Sequence, residues 1–440
     1  MLNRIPVSFL FSRLRNPTSL PKAWGVRQMS KVVSYAGKPI TNANPAPPTD
    51  KISTILNGDS GAGGAACQAD EYPYLQQPLL DISANYRVQF QLVHLGDAHN
   101  APFGSKTPLE ILGLTKALIR EGVRTHVANR VAIACNTAST TVGPDLHKWI
   151  ETNVPGTEVF SIIKPTATEL YSKGGYVSGR RGGHEKHIAV LSTLATAKSG
   201  LYPLELAELH FNKFGAHCIT VVDSNIDVPK SPRVFEGQMP IPRDSPEEAK
   251  LLKQVADNSS RYPVLVVHTY APPEWVSLLE GKTPGKTDAD LAQEVMGDMA
   301  KFFKQIGADL PKVHVLGLCC THYPLVKDQI KLAFSARENQ KYGVKVTLTE
   351  TMEIVSQGKI VAEKLLIPSI QTAVERGDFA RREQVCWNQQ IKLMSWTTGH
   401  TSNPSSIQSL NVVKRLFEKC GGELARTRCE IVSPYSTVKE

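Results

Sequence analysis

The sequence predicts an α/β protein made of two similar domains, each built on a parallel sheet. Short apolar runs of strand length alternate with segments of helical periodicity, which is the order found in parallel sheets. The chain has 440 residues and is 41% apolar, so it is long enough for more than one domain with a substantial core. Two of the strand-like runs end in cysteine and lie far apart along the chain, one for each predicted domain.

The predicted strands are the apolar runs themselves. In chain order they include KISTIL, VQFQLVHL, RVAIAC, EVFSII, HIAVLS, HCITVV, YPVLVVHTY, KVHVLGLC, VKVTLT and IKLMSW. The predicted helices carry apolar residues at three- and four-residue spacing and include Thr107 to Glu121, Ser199 to Phe214, Asp288 to Ile306 and Ser405 to Glu418. Because helices connect parallel strands and cover both faces of the sheet, this order favours an α/β architecture.

The fold is predicted to begin near Lys51, after a linker rich in Pro and Asn. Residues 50–155 form the first predicted domain and residues 156–344 the second. Within the second domain, the segment near 173–187 is rich in Gly and Arg, and the segment 223–258 is dense in Pro and charge. We predict that both segments are insertions that form surface loops.

The N-terminal segment carries most of the positive charge. The net charge is +9, and residues 1–49 contain seven Lys and Arg but no Asp or Glu, so the remainder is nearly neutral. Arg and Ser among apolar residues, without acid, are typical of an organellar transit peptide. The alternatives are a secretory signal centred on IPVSFLF and a disordered N-terminal tail that has no targeting function. We predict that residues 1–49 are a disordered presequence and Pro-rich linker, and that the protein is mitochondrial or in another organelle, or otherwise cytoplasmic.

Several classes of protein are excluded by composition. No apolar run approaches the length of a membrane span, and the charge surplus lies in one tail, so we expect no membrane span and no nucleic acid partner. The eight cysteines form no CxxC pair, which argues against a disulfide scaffold and against structural zinc. We therefore expect no metal site.

Two Gly-rich segments resemble phosphate-binding motifs without matching them. DSGAGG, from Asp59, lacks the GxGxxG spacing. In GKTPGKT, from Gly281, a P-loop would need a glycine where Val276 or Glu280 stands. DSGAGG does follow a predicted strand directly, so we predict a turn there whose backbone N–H groups suit a carboxylate.

Two cysteine loops give the clearest signal. RVAIACNTAST is a strand that ends at Cys135, and VHVLGLCCTHYPLV is a strand that ends at Cys320. Each thiol stands just before a predicted helix, whose free N–H groups favour the thiolate. If the two domains face each other, the two thiols flank one small molecule. The alternative is that both are inert core cysteines, as most free cysteines are.

Two opposed acid/base groups are what a racemase requires. One group removes the α-proton from one face of the carbon, and the other delivers a proton to the opposite face. A thiol, with an ordinary pKa of about 8.5, titrates near working pH and suits both tasks. The neighbouring side chains of Asn136, Thr137 and Thr321 can hydrogen-bond a carboxylate or an ammonium group.

The same segments resemble the glutamate racemase family of the cofactor-independent aspartate/glutamate racemase superfamily. DSGAGG, LGDAHNAPFGSK, ACNTAS, LATAKSGLY and CCTHYPL occur in the family's order, and the likeness extends from Lys51 to the C-terminal region. The resemblance implies two α/β domains, an active site in the cleft between them, and residues 345–440 returning to complete the first domain. It also implies cofactor-independent racemisation of L- and D-glutamate, with an amino acid as the small-molecule substrate and, as one option, a homodimer.

The resemblance also implies roles for individual residues. Cys135 is expected to be the base for D-glutamate, assisted by Asp59, and Cys320 the base for L-glutamate, assisted by His322. The alternative for His322 is a histidine that caps a helix. The expected substrate contacts are Asp59, Ser60, Phe103, Gly104, Asn136, Thr137, Thr321 and His322.

Some positions depart from the family pattern. Cys319 replaces a glycine, and in an extended segment its thiol points away from that of Cys320, so we interpret Cys319 as a core residue. Phe103 replaces a tyrosine and lacks its hydroxyl. The family also has a glutamate on the side of the second cysteine, and Glu236 is our candidate for it.

These departures keep alternative functions open. One alternative is a racemase of the same superfamily that acts on aspartate or a related acid. Another is a catalytically silent homologue that binds an acidic amino acid. Thiol redox chemistry is a further alternative, but adjacent cysteines such as Cys319 and Cys320 are poor partners for a disulfide.

Overall fold

The structure, a computed structural model, describes residues 50–178, 184–226, 233–257, 262–283, 285–334, 352–386, 390–399, 404–420 and 427–432. The predicted presequence at 1–49 and the predicted strand VKVTLT lie outside these ranges. Within them, no helix combines the length and the apolar character that crossing a membrane would take.

Strands and helices alternate along the described chain. The strands are β1 Lys51–Asp59, β2 Val88–Gly96, β3 Ala128–Ile133, β4 Glu158–Ser161, β5 Tyr176–Ser178, β6 His184–Ser192, β7 Ile219–Ser224, β8 Val234–Glu236, β9 Met239–Pro240, β10 Val264–Tyr270, β11 Val313–Cys319, β12 Glu353–Val355, β13 Lys392–Thr398 and β14 Arg428–Val432. The helices are α1 Gly63–Asn85, α2 Pro108–His126, α3 Asn136–Ser139, α4 Pro144–Asn153, α5 Ile163–Lys173, α6 Leu194–Ser199, α7 Leu201–Phe214, α8 Pro246–Ala256, α9 Trp275–Leu279, α10 Asp288–Ile306, α11 Lys327–Ala333, α12 Gln357–Ile360, α13 Ile367–Glu375 and α14 Pro404–Cys420. A π-helical turn, Val361–Leu366, joins α12 to α13.

The strands form two sheets. The first has six strands in the order β14-β13-β2-β1-β3-β4, and every pairing in it is parallel. The second has eight strands, with a parallel centre β12-β11-β6-β10-β7 and antiparallel β8, β9 and β5 at its margins. Since β13 pairs with β2, the C-terminal part of the chain returns to the first sheet. The predicted fold class, two parallel-sheet α/β domains, is confirmed.

The second sheet begins and ends later in the chain than the predicted boundaries. Strand β4 pairs with β3 in the first sheet, although it follows residue 155. Strand β12 pairs with β11 in the second sheet, although it lies beyond residue 344. Both are short edge strands, so their few apolar residues carry little information about the sheet that they join.

Parts of the two predicted surface loops are regular structure, so that prediction was wrong for these parts. In the segment near 173–187, β5 pairs with β6. In the segment 223–258, β8 and β9 extend the second sheet, and α8 follows them. The Ser245 side chain accepts a hydrogen bond from the Glu248 backbone N–H, and Pro246 occupies the first turn. The residue types that suggested a loop therefore start a helix.

Capping explains where the long amphipathic helices begin. Thr107 and Glu110 form a reciprocal capping box at the start of α2, and Thr287 and Asp290 form another at the start of α10. Helix α10 then buries one face in the core of the second sheet, and every residue of β10 is buried, as expected for a strand covered on both faces.

The topology places the carboxyl ends of β1 and β3 side by side in the first sheet, and those of β6 and β11 side by side in the second. In the first sheet β1 lies beside β3, so Asp59 and the segment after Ile133 are neighbours. In the second sheet β6 lies beside β11, with Ser192 opposite Cys319. Carboxyl ends of parallel strands are where α/β proteins place their ligands.

Candidate active site

Every predicted catalytic and substrate-contacting residue, with the exception of the candidate Glu236, lines one cavity of about 210 Å³. These residues are Asp59, Ser60, Phe103, Gly104, Cys135, Asn136, Thr137, Cys320, Thr321 and His322. Pro102, Ser105, Thr193, Leu194, Pro272, Pro273, Val276 and Ser277 complete the lining. A larger cavity, of about 520 Å³, lies at the ends of β7 and β10 and contains neither Cys135 nor Cys320.

The first thiol is held at the start of a helix. Cys135 caps α3, and its Sγ accepts a hydrogen bond from the Ala138 backbone N–H at 3.5 Å. The Ser60 hydroxyl lies 3.7 Å from the same sulfur. Burial, and then the nearby Asp59 carboxylate, raise the pKa of Cys135 well above its ordinary value. At rest this thiol is therefore protonated.

Asp59 stands between the two cysteine loops. The Thr321 hydroxyl, from the second sheet, donates to Asp59 Oδ2 at 3.4 Å, and the Ser60 hydroxyl donates to Oδ1 at 3.5 Å. Burial raises the pKa of Asp59 above its ordinary value. A carboxylate of raised pKa is a better acceptor for the proton of a neighbouring thiol, which fits the predicted role beside Cys135.

The second thiol faces an imidazole. Cys320 Sγ lies 3.9 Å from His322 Nδ1, and His322 Nε2 lies 2.6 Å from Glu280 Oε1. Burial alone would lower the pKa of His322, but its hydrogen bonds to Cys320 and Glu280 outweigh that effect and raise the pKa well above 6.5. His322 is therefore an imidazolium beside the thiol. Its side chain makes no helix cap, so the alternative of a capping histidine is wrong.

A buried glutamate, Glu280, lies on the side of the second cysteine and contacts His322. It follows α9, is 1% exposed, and accepts a hydrogen bond from the Ala62 backbone N–H at 2.7 Å as well as from His322. Burial alone would raise its pKa, but the His322 hydrogen bond and charge lower it to about 2. The candidate Glu236 is wrong, because it is exposed at the end of β8 and lies outside the cavity.

The glycines of DSGAGG allow these groups to approach the loop closely. A Cβ on Gly61 would lie 2.1 Å from Glu280 Oε1. A Cβ on Gly63 would lie 2.4 Å from His322 Nδ1 and 2.5 Å from Asp59 Oδ2. The loop therefore leaves room for Asp59, Glu280 and His322 to approach it closely.

The lining of the cavity combines apolar side chains with hydroxyl, thiol, amide and ionisable groups, and it contains no lysine or arginine. Its hydroxyls include those of Thr137 and Thr193, which lie 3.0 Å apart, and His322 supplies the positive charge among the lining residues. Cys319 is fully buried outside this lining, as a core residue would be.

Comparisons with known proteins show which proteins the chain is similar to. No protein-family model matches the chain. A glutamate racemase of Shewanella woodyi is 28% identical over 277 residues, which are 63% of this chain and 71% of the relative. A glutamate racemase of Aquifex pyrophilus is 28% identical over 280 residues, which are 62% of this chain and 72% of the relative. The predicted resemblance to glutamate racemases is confirmed.

The fold agrees as well. The crystal structure of a glutamate racemase isoform from Bacillus anthracis superposes with a TM-score of 0.51 at 18% identity. The match covers 89% of this chain and 99% of that one. The chain is therefore a homologue of glutamate racemases that shares their two-domain fold.

Proposed function

We propose that this protein is a cofactor-independent glutamate racemase that uses two thiols as its acid/base pair. The observation that carries the proposal is that Cys135, from the first sheet, and Cys320, from the second, line the same cavity. Each has a buried acid/base group next to it, Asp59 and His322 respectively. Curated homologues that are glutamate racemases support an amino-acid racemase.

In the D-to-L direction the reaction begins at Cys135. Its thiol proton passes to Asp59, and the resulting thiolate takes the α-proton of D-glutamate. Cys320 then delivers its own proton to the opposite face of the α-carbon, so that L-glutamate leaves. The protein is left with Cys135 as thiol and Cys320 as thiolate, and the His322 imidazolium stabilises and reprotonates that thiolate. Asp59 then still holds the proton that it took from Cys135, so loss of that proton to solvent and uptake of one by His322 restore the starting state. The L-to-D direction runs the same steps in reverse.

The negative charge that develops on the substrate must be met by fixed groups. Hydroxyls of Ser60, Thr137 and Thr321 line the cavity and can donate to carboxylate oxygens. The His322 imidazolium adds positive charge in a buried setting, where electrostatic stabilisation is stronger than in water. These residues stabilise the negative charge that a cofactor acting as an electron sink would otherwise delocalise.

Solvent exchange tests the proposal directly. The full chain is incubated in deuterated water with L-glutamate, and separately with L-aspartate, and both α-deuterium incorporation and optical rotation are followed. We expect exchange and loss of rotation with glutamate, and loss of inversion in both Cys135→Ser and Cys320→Ser. Cys218→Ser is the matched control, since Cys218 is buried but lies outside the cavity.

The other outcomes point to the alternatives. Faster inversion of aspartate than of glutamate would indicate a different acidic substrate. No exchange with either amino acid would contradict the proposal and leave a silent homologue. Full activity in either serine variant would contradict the two-thiol mechanism.

A further inference from the structure

The amide of Asn136 is held by buried protein groups. Its Nδ2 donates to Gln357 Oε1 at 2.7 Å, and its Oδ1 accepts from Gln357 Nε2 at 3.0 Å. The Tyr202 hydroxyl donates to the same Oδ1 at 2.6 Å. All three side chains are at most 2% exposed. Asn136 lines the cavity, and these contacts anchor its side chain while they leave one Nδ2 hydrogen for a substrate.

Tyr202 connects the two cysteine loops from behind the cavity. Its hydroxyl bonds Asn136, the residue after Cys135, and also contacts the thiol of Cys319, the residue before Cys320. Gln357 Nε2 donates to the Tyr202 hydroxyl at 3.0 Å and to the Thr166 hydroxyl at 3.1 Å. One hydroxyl therefore lies between the backbones that carry the two thiols.

The residues of this network come from separate parts of the fold. Asn136 begins α3 after a strand of the first sheet, and Tyr202 belongs to α7, which packs in the core of the second sheet. Gln357 begins α12, where the chain leaves the second sheet to return to the first. A buried polar network whose members are all satisfied has one favoured geometry, so it fixes the relative position of the segments that it joins.

We propose that Tyr202 and Gln357 are positioning residues that set the spacing between the Cys135 and Cys320 loops. The inference rests on the proposed function, because racemisation needs both thiols within proton-transfer reach of one carbon. A misplacement of about 1 Å can cost about a hundredfold in rate. Neither residue lines the cavity, so both act through Asn136 and Cys319.

Tyr202→Phe and Gln357→Met test the proposal, because each retains the approximate size of the side chain and removes hydrogen-bonding groups. We expect kcat/KM to fall about tenfold or more in both directions. We also expect a rise in the ratio of deuterium found in the unconverted enantiomer to deuterium found in the inverted product. That ratio reports how well the second thiol captures the intermediate, and a smaller folded fraction would not change it.

Tyr171→Phe is the matched control. Tyr171 is also buried, and its hydroxyl bonds His210 and Tyr176, each at 2.9 Å, away from both cysteine loops. We expect its exchange ratio to equal that of the wild type. The double variant Tyr202→Phe/Gln357→Met should be less impaired than the product of the two single effects, since both act on Asn136.

A second readout does not depend on activity. Cys135 and Cys320 are 4% and 3% exposed, so loosening their loops should speed alkylation of both thiols by iodoacetamide, mapped by mass spectrometry. An unchanged exchange ratio together with unchanged alkylation in Tyr202→Phe would overturn the inference. If the wild type fails to racemise, the proposed function is wrong, and alkylation of Tyr202→Phe against Tyr171→Phe still decides whether the network holds the two loops.

Discussion

Glu280→Gln tests the charge balance of the cavity with little change of shape. The substitution keeps the size of the side chain but removes the negative charge that lies 2.6 Å from His322 Nε2. The two side chains are 3% and 1% exposed, so water does not screen the pair. Loss of the carboxylate leaves a buried imidazolium without its counter-charge.

The size of the effect follows from the pKa of Glu280. It lies at about 2 instead of 4.5, and each tenfold change in acid dissociation corresponds to about 1.4 kcal/mol, which gives about 3 kcal/mol. Removing one partner of a buried ion pair generally costs about 3–5 kcal/mol. We therefore expect Glu280→Gln to lower the free energy of unfolding by about 3 kcal/mol near neutral pH, and to lower kcat about a hundredfold or more.

The pH dependence has a defined sign. The pKa of Glu280 is lowered by folding, so its contribution is present above about pH 4.5 and is lost as the pH falls through about 2. The pKa of His322 is raised by folding, so its contribution is fully present below pH 6.5 and is lost as the pH rises through the higher folded value. The difference between wild type and variant should therefore be largest between about pH 4.5 and 6.5.

Urea unfolding at pH 5.5 and racemisation kinetics measure the two effects. Glu248→Gln is the matched control, because Glu248 is a buried carboxylate paired with Arg233 at 2.9 Å outside the cavity. The control should lose stability and keep its kcat. Equal stability and equal kcat for Glu280→Gln and wild type would refute the reasoning.

Three further predictions concern other parts of the chain. Gly63→Ala should fold but lose about a hundredfold or more in kcat, because its Cβ would lie 2.4 Å from His322 Nδ1. Gly113→Ala is the control and should keep its activity, because a Cβ there would have nothing within 4 Å. Equal kinetics of the two variants would contradict the crowding argument. Burial lowers the pKa of His94 from 6.5 to about 4, so the fold loses stability as the pH falls through this range, because the unfolded chain then binds the additional proton. When the pH is lowered from 7 to 4.5, the free energy of unfolding measured in urea should fall by about 2 kcal/mol less in His94→Gln than in wild type. An equal fall in both proteins would contradict the assignment. Residues 1–49 fused to a fluorescent reporter should direct it to mitochondria or another organelle, and a reporter that stays diffuse in the cytoplasm would argue against the presequence.

Local patterns predicted most of the sheet strands but missed the first long helix. Apolar runs mark β1, β2, β3, β6, β10 and β11 because these strands are buried on both faces. Helix α1, at Gly63–Asn85, escaped because it contains Pro73 and Pro78 and buries residues around much of its circumference near its start. Neither feature gives the one-sided periodicity by which a helix is recognised.

Some residues of the site could be found from the sequence, and others are recognised only in the structure. Cys135 and Cys320 were found because each lies just after a strand, and strand order brings such ends together. Asp59, which ends β1, was found through the resemblance of DSGAGG to the family. Tyr202 and Gln357 lie behind the cavity, in segments where a single polar residue leaves no periodic signal. Tyr202 does end the LATAKSGLY segment that resembles the family, but the link that it and Gln357 form between the two cysteine loops is visible only as contacts between elements that are distant in sequence.

Glu280 shows why chemistry can predict that a partner exists without locating it. A buried imidazolium beside a thiol needs a counter-charge, so a carboxylate on this side of the cleft is expected on physical grounds. Its position depends on where the end of α9 meets the loop after β1, where the Ala62 backbone N–H binds the carboxylate and Gly61 leaves room for it. Glu236 also stands at the end of a strand, but that strand lies at the antiparallel margin of the second sheet, and its end does not reach the cavity. The contact between Glu280, at the end of α9, and the loop after β1 therefore decides which glutamate completes the site.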